Sequence, residues 1–460
     1  MAGTFPKLAI SLFVTLGLLG LAEVAIRLAG IQPQNWPSAD GRRFPQVRID
    51  PLLGPLPQPS YSGSWFGFPV EIDDEGFRST GLSPPGSGAR RVAFVGDSCT
   101  FGWGLTTNET FVAQMDALQR VAGEPFLVLR NSGYPGQSAV VGEYIVRELL
   151  LPWNPDVVVI GFSGNNAFRL TLAPHVDRFK MFEARKVLFR SRLLHILASY
   201  LANRREPPGH PRNRDAVQSV PLETLHRVAN VEEFSLAVRN TIKVVRADGG
   251  EPLLLIFPRA SQVSDQYAHE DAARAHAVNP LRRGGNPKNR YTRELGLLES
   301  SCIDLRSTQD PLNALHERIG RWKPVYPSSP ELKTSLRVGA QFFVRGELDA
   351  ANEIFETAVA SAPNSPLAQY DVGVSRIALG RIEEGLRALD EASSLACNVF
   401  LQYQVRLRHI AVELDVTVID LMIHFQSHEG GRLYIDPAHP SPAGAALIAE
   451  ALWSELGTRP

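Results

Sequence analysis

Short, wholly apolar runs alternate along the chain with longer stretches in which apolar residues recur at helical spacing. Runs rich in Val, Leu, Ile and Phe, without alternating polar positions, are typical of strands buried on both faces of a parallel sheet. Stretches such as 109–121, 232–248 and 400–414 predict the helices that connect such strands. The pattern therefore predicts an α/β protein. The predicted strands cover 92–95, 126–129, 157–160, 253–257 and 416–419.

Five strands joined by crossover helices indicate a flavodoxin-like three-layer sandwich around a parallel five-stranded sheet. The strands fall in two blocks, 91–258 and 397–460, so we expect the α/β domain to be interrupted. We predict an insertion over 259–333 and a separate helical segment over 334–396. Residues 31–90 are rich in Pro, Gly and Ser and predict a linker and an extended lead-in.

The helical segment contains a repeat with a period of 34 residues. Small residues at the repeated positions let two antiparallel helices approach closely, and the period resembles that of tetratricopeptide repeats. Two interpretations stay open: a surface that contacts a protein partner or the substrate, and a helical hairpin that only decorates the main domain. The repeated positions are Gly339, Gly346, Ala351, Phe355 and Ala358, followed by Gly373, Gly380, Gly385, Leu389 and Ala392.

The amino-terminal region, 1–30, has an apolar stretch of its own. Residues Leu8 to Ala22 carry no charge, and charged residues stand on both sides of them. A charged start before a short apolar run is typical of an export signal, which would be cleaved before Glu23. We favour an uncleaved signal anchor that continues to about Leu28 and crosses the membrane once. A buried core helix is the remaining alternative.

Charge and cysteine content exclude several classes of protein. The 460 residues include 47 Lys and Arg against 48 Asp and Glu, which argues against a nucleic-acid-binding protein. The basic residues cluster in 167–215, where eleven stand against four acidic ones; this segment predicts either attraction to an anionic surface or polymer, or a solvated helical lid. Cys99, Cys302 and Cys397 are too few for a disulfide framework or a four-cysteine zinc site, and whether the last two pair stays open.

Candidate catalytic residues stand at the ends of predicted strands. Gly96-Asp97-Ser98 follows the first strand directly, where open α/β sheets bind their ligands. A serine needs a base to take its proton, and the base needs an acceptor that fixes its orientation. Asp436 and His439, three residues apart on a Pro-flanked loop near the carboxyl terminus, could provide both. His424 and His428 are rival bases, but neither has an Asp three residues upstream.

Two further loops stand where an oxyanion hole would need hydrogen-bond donors. Gly136 lies in the loop after the second strand, and Asn165 lies in the loop after the third. A glycine lets its N–H approach a substrate closely, and an Asn side chain adds a donor. Taken singly, each loop also fits an ordinary strand-to-helix turn.

Together these blocks resemble the SGNH/GDSL hydrolases, a family of serine esterases, lipases and carbohydrate deacetylases with a flavodoxin-like fold. The resemblance covers about 70–260 and 400–457. It implies Ser98 as nucleophile, His439 as general base and Asp436 as its orienting carboxylate. It also implies an oxyanion hole formed by the Ser98 and Gly136 N–H groups and the Asn165 amide. The lead-in Glu75-Gly76-Phe77-Arg78 resembles that of membrane-anchored members.

The chain departs from the family pattern at two positions. Asn166 replaces an Asp that often follows the Asn of the third block, and Cys99 replaces a larger apolar residue. A thiol beside the nucleophile invites a cysteine mechanism, but without a dedicated His we expect a small buried residue.

Three functions follow as hypotheses. The leading one is a membrane-anchored, extracytoplasmic serine ester hydrolase that acts on acyl esters of a carbohydrate or lipid through an acyl-enzyme. The second is an O-acyltransferase that acetylates a polysaccharide, since nothing in the motifs separates transfer from hydrolysis. The third is a scaffold with an inactive core, whose repeats bind a protein. None of these needs a metal or another cofactor, and we expect no nucleic-acid partner.

Overall fold

A computed structural model provides the architecture. It describes residues 4–31, 46–50, 53–65, 67–80, 88–123, 127–163, 170–171, 191–204, 226–227, 229–263, 329–396, 399–428, 432–436 and 438–457. The insertion predicted over 259–333 lies almost wholly outside these residues, as do most of the basic segment 167–215, Asn165, Cys302 and Cys397.

The strands are β1 (Val47–Asp50), β2 (Gly54–Pro57), β3 (Ser62–Trp65), β4 (Phe68–Glu71), β5 (Arg90–Gly96), β6 (Leu127–Asn131), β7 (Val157–Gly161), β8 (Leu170–Thr171), β9 (His226–Arg227), β10 (Glu251–Ile256) and β11 (Thr417–Asp420). The helices are α1 (Thr4–Leu28), α2 (Ser98–Phe101), α3 (Phe111–Ala122), α4 (Ala139–Ile145), α5 (Arg192–Arg204), α6 (Val231–Ala247), α7 (Ala260–Val263), α8 (Pro330–Val344), α9 (Leu348–Ser361), α10 (Pro366–Ala378), α11 (Ile382–Leu395), α12 (Val399–Leu414), α13 (Leu421–Ser427) and α14 (Pro442–Leu456).

A parallel sheet of five strands forms the centre of the molecule, in the order β6–β5–β7–β10–β11. Successive residues of β5 face opposite sides: Val92 and Phe94 join one apolar core, and Ala93 and Val95 join the other. Helices α4, α6 and α12 cover one face, and α3 and α14 cover the other. The predicted three-layer α/β sandwich with a five-stranded parallel sheet is confirmed.

The region predicted as linker and lead-in contains two antiparallel hairpins, β1–β2 and β3–β4. In β4 the side chains alternate, with Phe68 and Val70 buried and the residues between and after them exposed. These two residues pack with Trp65 against Phe101 and Tyr134, which belong to the main domain. The lead-in therefore forms part of the folded body beside the carboxyl end of β5.

The helices α8–α9 and α10–α11 form two consecutive antiparallel hairpins, which confirms the predicted helical pair. Gly339 is required where α8 meets α9, because a Cβ there would lie 2.5 Å from the Phe355 ring. In the second hairpin, a Cβ on the equivalent Gly373 would lie 2.9 Å from Leu389 Cγ, which explains the period of 34 residues. The hairpins share one apolar core with Met422 and residues of α12.

The prediction of a single-pass transmembrane helix, and of a cell-membrane location, is wrong. Across the described ranges, no helix has both the length and the hydropathy that a membrane crossing requires. Helix α1 forms where the apolar stretch predicts a helix, but the uncharged run from Leu8 to Ala22 rises only about 22 Å, against about 30 Å of bilayer hydrocarbon.

Glu23, near the carboxyl end of α1, makes polar contacts with the start of α5. Glu23 accepts hydrogen bonds from the N–H groups of Leu193 and Arg192 and from the Ser191 hydroxyl, at 2.8–3.0 Å. These bonds, led by the one from Leu193, lower the pKa of Glu23 to about 2. Glu23 thus caps the start of α5 with a charged carboxylate. A negative charge at this position stabilises the helix, because the amino-terminal end of a helix carries partial positive charge.

Candidate active site

Ser98 stands at the carboxyl end of β5, at the first residue of α2. Gly96 is needed directly before it, since a Cβ there would lie 2.0 Å from the Gly161 carbonyl of the neighbouring strand β7. Asp97 caps α2 by accepting a hydrogen bond from the Cys99 N–H at 3.0 Å. The tight strand-to-helix turn therefore fixes the backbone of Ser98, whose side chain is largely buried.

The same Asp97 connects β5 with the loop that follows β7. Its second carboxylate oxygen accepts hydrogen bonds from the Ser163 N–H at 2.9 Å and from the Ser163 hydroxyl at 2.7 Å. Asp97 is wholly buried, so both of its oxygens are used inside the protein. The structure thereby explains why an Asp precedes Ser98: its carboxylate connects the end of β5 to the loop after β7.

Asp436 and His439 lie on a closed loop between α13 and α14. Tyr434 and Pro440 form an isolated antiparallel bridge, and the Ile435 N–H donates to the His439 carbonyl at 2.9 Å. The buried Tyr434 hydroxyl also donates to the Pro258 carbonyl at 3.0 Å, which ties the loop to the segment after β10. Backbone bonds at both ends of the loop thus hold the two side chains close to each other.

The structure brings Ser98, His439 and Asp436 into one hydrogen-bonded chain. His439 Nε2 lies 2.8 Å from Ser98 Oγ, and His439 Nδ1 lies 2.7 Å from Asp436 Oδ2. The other Asp436 oxygen accepts from the N–H groups of Ala438 and His439 at 2.8 and 2.9 Å. Three groups bonded in this order can act as nucleophile, base and orienting carboxylate.

The electrostatics keep Asp436 ionised. Burial alone would raise its pKa, but the adjacent His439 and the hydrogen bonds to the carboxylate outweigh burial and lower the pKa well below its usual value. An ionised carboxylate can accept the Nδ1–H of the ring, which leaves Nε2 free of a proton and directed at Ser98. The ring orientation therefore suits proton removal from the serine.

Cys99 does not join this chain of hydrogen bonds. Its side chain is 2% exposed, and its thiol donates to the Ala438 carbonyl at 3.3 Å. Burial, reinforced by the nearby Asp97, raises the pKa of the thiol well above its ordinary value. The thiol is thus neutral and packed beneath the loop that carries His439, which does not suit a nucleophile.

The rival bases lie elsewhere. His424 is part of α13, where burial lowers its pKa, and His428 follows the end of that helix. The hydroxyl of Ser98 bonds with His439 and with neither of them. Within the stretches that the structure describes, no group of three or more His, Cys, Asp or Glu side chains has an arrangement suited to a metal ion.

The loop after β6 carries Gly136 and is fastened directly to α2. The Asn131 side chain donates to the Thr100 carbonyl at 2.9 Å and accepts from the Gly133 N–H at the same distance. Gly136 has φ +85°, a conformation that favours glycine. This holds the loop next to the turn that carries Ser98. Asn165, the third predicted donor, lies outside the described residues.

Two aromatic residues at the site were missed in the sequence. The Trp103 ring centroid lies 5.9 Å from that of His439, and the Phe68 ring meets the indole edge to face at 5.1 Å. The sequence signal was the run Gly102-Trp103-Gly104, in which two glycines flank a large aromatic residue directly after the turn that carries Ser98.

Comparisons of the whole chain with known proteins find only distant structural likenesses. No protein-family model and no curated protein sequence matches the chain. Similar solved structures include the acetyl xylan esterase AlAXEase, at 11% identity and a TM-score of 0.35 over 80% of this chain and 99% of that one. An acetylxylan esterase from Geobacillus stearothermophilus is 11% identical, with a TM-score of 0.32 over 81% of this chain and 96% of that one.

A third likeness is an alpha/beta hydrolase enzyme from the metagenome of Lake Arreo, Spain. It is 12% identical, with a TM-score of 0.33 over 80% of this chain and 96% of that one. At such identities and scores these likenesses carry no inference about activity or substrate.

Proposed function

We propose that the protein is a serine ester hydrolase of the SGNH/GDSL type that works through an acyl-enzyme. The single observation that supports this most strongly is the relay Asp436–His439–Ser98, with hydrogen bonds of 2.7 and 2.8 Å. The substrates that we propose are acyl esters of a carbohydrate or a lipid, in keeping with the sequence motifs.

In the first half of the reaction, His439 Nε2 takes the Ser98 hydroxyl proton as Oγ attacks the ester carbonyl carbon. The tetrahedral oxyanion would be bound by the Ser98 and Gly136 N–H groups and the Asn165 amide. The bond from carbon to the alcohol oxygen then breaks, and His439 gives its proton to the departing alkoxide. The products are a free alcohol and an acyl-Ser98 ester.

In the second half, water replaces the alcohol. His439 takes a proton from the water molecule as its oxygen attacks the acyl carbon, and the bond from that carbon to Ser98 Oγ breaks. The proton returns to Oγ and the carboxylic acid leaves. Asp436 stays ionised throughout and stabilises the protonated ring of His439.

The test is hydrolysis of p-nitrophenyl acetate by the full chain. We expect Ser98→Ala to abolish the activity, and Ser394→Ala, a change of the same kind in the distant helix α11, to leave it intact. The variant Cys99→Ala distinguishes Ser98 from the adjacent thiol as the group that is acylated. If the ester still acetylates the protein in this variant, the result supports Ser98 as nucleophile. Equal activity in the wild type and Ser98→Ala would overturn the proposal.

A further inference from the structure

The turn that follows Ser98 brings a tryptophan back over the candidate base. Gly102 and Gly104 have φ +80° and +82°, and both lie in the left-handed region that favours glycine. Between them, the Trp103 N–H donates to the Ser98 carbonyl at 3.0 Å. The two left-handed glycines and this hydrogen bond thus hold the Trp103 backbone beside Ser98.

The loop that carries the base is packed against this turn. A Cβ on Gly104 would lie 2.3 Å from Ile435 Cδ1, one residue before Asp436. The close approach sets the indole beside the imidazole, with 5.9 Å between the centroids of Trp103 and His439 and 35° between the ring planes. The position of Trp103 is therefore set by both segments that build the relay.

The outer side of the indole is supported by the lead-in. Phe68 contacts Trp103 edge to face at 5.1 Å, and Phe68 is itself 4% exposed. Trp103 is partly exposed, so part of its surface is accessible next to His439. An aromatic side chain held in one orientation offers contact area at little entropic cost.

The chemistry of acyl transfer identifies what passes this surface. His439 must hand its proton to the departing alcohol oxygen, so the alcohol half of the ester has to lie beside the imidazole. The acyl half has to lie on the other side of the carbonyl carbon, toward Ser98 and the oxyanion donors. A group beside His439 therefore meets the alcohol half of the substrate.

Resting on the proposed function, we propose that Trp103 binds the alcohol half and selects cyclic alcohols, namely the pyranose ring of an acylated carbohydrate. A rigid ring covers a flat indole with its C–H face and loses little rotational freedom. A flexible alkyl alcohol would lose more of it on the same surface. Trp103 is thus the residue that favours sugar esters over lipid esters.

The experiment compares acetate esters that share one acyl group, a monoacetate of methyl β-xylopyranoside and ethyl acetate, with the full chain. We expect Trp103→Ala to lower the ratio of kcat/KM for the sugar ester to that for ethyl acetate by about 10-fold or more. Trp103→Phe should restore part of the ratio. Trp153→Ala, a change of the same kind at the opposite edge of the sheet, should leave the ratio as in the wild type.

Three outcomes would overturn the proposal. If Trp103 only supports His439, every ester loses the same factor, the ratio stays constant, and hydrolysis of the common acetyl-enzyme slows equally. If Trp103 lines the acyl side, its effect grows from acetate to butyrate esters of the same alcohol. If the wild type prefers long-chain alkyl alcohols, the assignment to a sugar ring is wrong.

Failure of the proposed function itself would look different. In that case neither ester would be hydrolysed faster by the wild type than by Ser98→Ala. Hydrolysis that depends on Ser98, together with an unchanged ratio in Trp103→Ala, rejects the role of Trp103 alone.

Discussion

At the scale of single residues, Asp436 shows how a short loop can specify the geometry of a candidate catalytic relay. One carboxylate oxygen accepts from the His439 ring, and the other accepts from two backbone N–H groups of the same loop. The carboxylate therefore orients both the ring and the backbone that carries it. A spacing of three residues suffices because Asp436 and His439 belong to one closed turn.

We expect Asp436→Asn to lower kcat for p-nitrophenyl acetate by about 10²- to 10⁴-fold. The Asn amide can donate a hydrogen bond to Nδ1, which places the ring proton on Nε2. Nε2 then cannot accept the proton of Ser98. The measurement is steady-state kinetics, with thermal unfolding as a check on folding.

Asp390→Asn is the matched control, since Asp390 bonds His409 at 2.9 Å on the surface. Its kcat should stay within about twofold of the wild type, because exposed ion pairs contribute little. A kcat for Asp436→Asn near that of the control would remove Asp436 from the mechanism.

At the scale of elements, helix α10 carries polar side chains into the contact with α13. Asp371 is wholly buried, and its carboxyl meets the Gln426 amide at 3.1 and 3.3 Å. Burial, reinforced by the nearby Asp420, raises the pKa of Asp371 well above its ordinary value of 3.8. The element contact thus contains a carboxyl group that favours the protonated form.

This makes stability depend on pH. Above about pH 4 the unfolded chain releases the Asp371 proton while the folded chain keeps it, so the free energy of unfolding falls as pH rises. Asp371→Asn removes this dependence. We expect the variant to gain stability relative to the wild type as the pH rises above about 4.

Urea unfolding at a series of pH values measures this difference. Asp74→Asn, at an exposed turn, is the control and should run parallel to the wild type. Parallel curves for the wild type and Asp371→Asn would mean that Asp371 ionises in the folded protein as it does in the unfolded chain.

Elements differ in how far the sequence predicted them. Each of the five predicted apolar runs overlaps a strand of the central sheet, because a strand buried on both faces must be apolar throughout. The hairpins β1–β2 and β3–β4 were missed, since their sequences are short and rich in Pro and Gly. Their apolar residues can be recognised as buried only when the surface that they cover is known.

At the scale of the whole molecule, one carboxylate joins the helical hairpins to the sheet. Asp420, at the end of β11, accepts from the Tyr370 hydroxyl of α10 at 2.7 Å and from the Arg408 guanidinium of α12 at 3.0 and 2.5 Å. Its other oxygen accepts from the Met422 N–H of α13 at 2.9 Å. The inner face of the second hairpin is therefore occupied by the α/β core.

We expect Asp420→Ala to lower the free energy of unfolding by about 3–5 kcal/mol, because it leaves the buried Arg408 without its counter-charge. The double variant Asp420→Leu with Arg408→Met should recover much of this loss, since no charge is then buried alone. Urea unfolding measures both.

Calorimetry tests whether the hairpins and the sheet unfold together. We expect one transition in the wild type, because the two parts share an apolar core. The matched control for Asp420→Ala is Glu384→Ala, which removes an exposed ion pair with Arg381. It should lower the free energy of unfolding by less than about 1 kcal/mol. Two separate transitions would show that the hairpins are an independent domain.

The amino-acid sequence was sufficient to predict the parallel sheet, the helical hairpins and the candidate residues of the relay. Each of these rests on a local pattern: continuous apolar runs, small residues at a fixed period, and polar motifs directly after strands. Such patterns hold wherever the segment finally lies, because they follow from the geometry of the strand or helix itself.

Only the tertiary structure decided which distant segments meet. Ser98 and His439 are 341 residues apart and lie 2.8 Å from each other because β5 and the last loop end at one edge of the sheet. The same holds for Trp103 beside His439. The apolar stretch of α1 predicted a helix correctly and a membrane crossing wrongly. The local pattern of apolar residues predicts which element forms, whereas the partner that its surface meets is set by contacts between segments far apart in the chain.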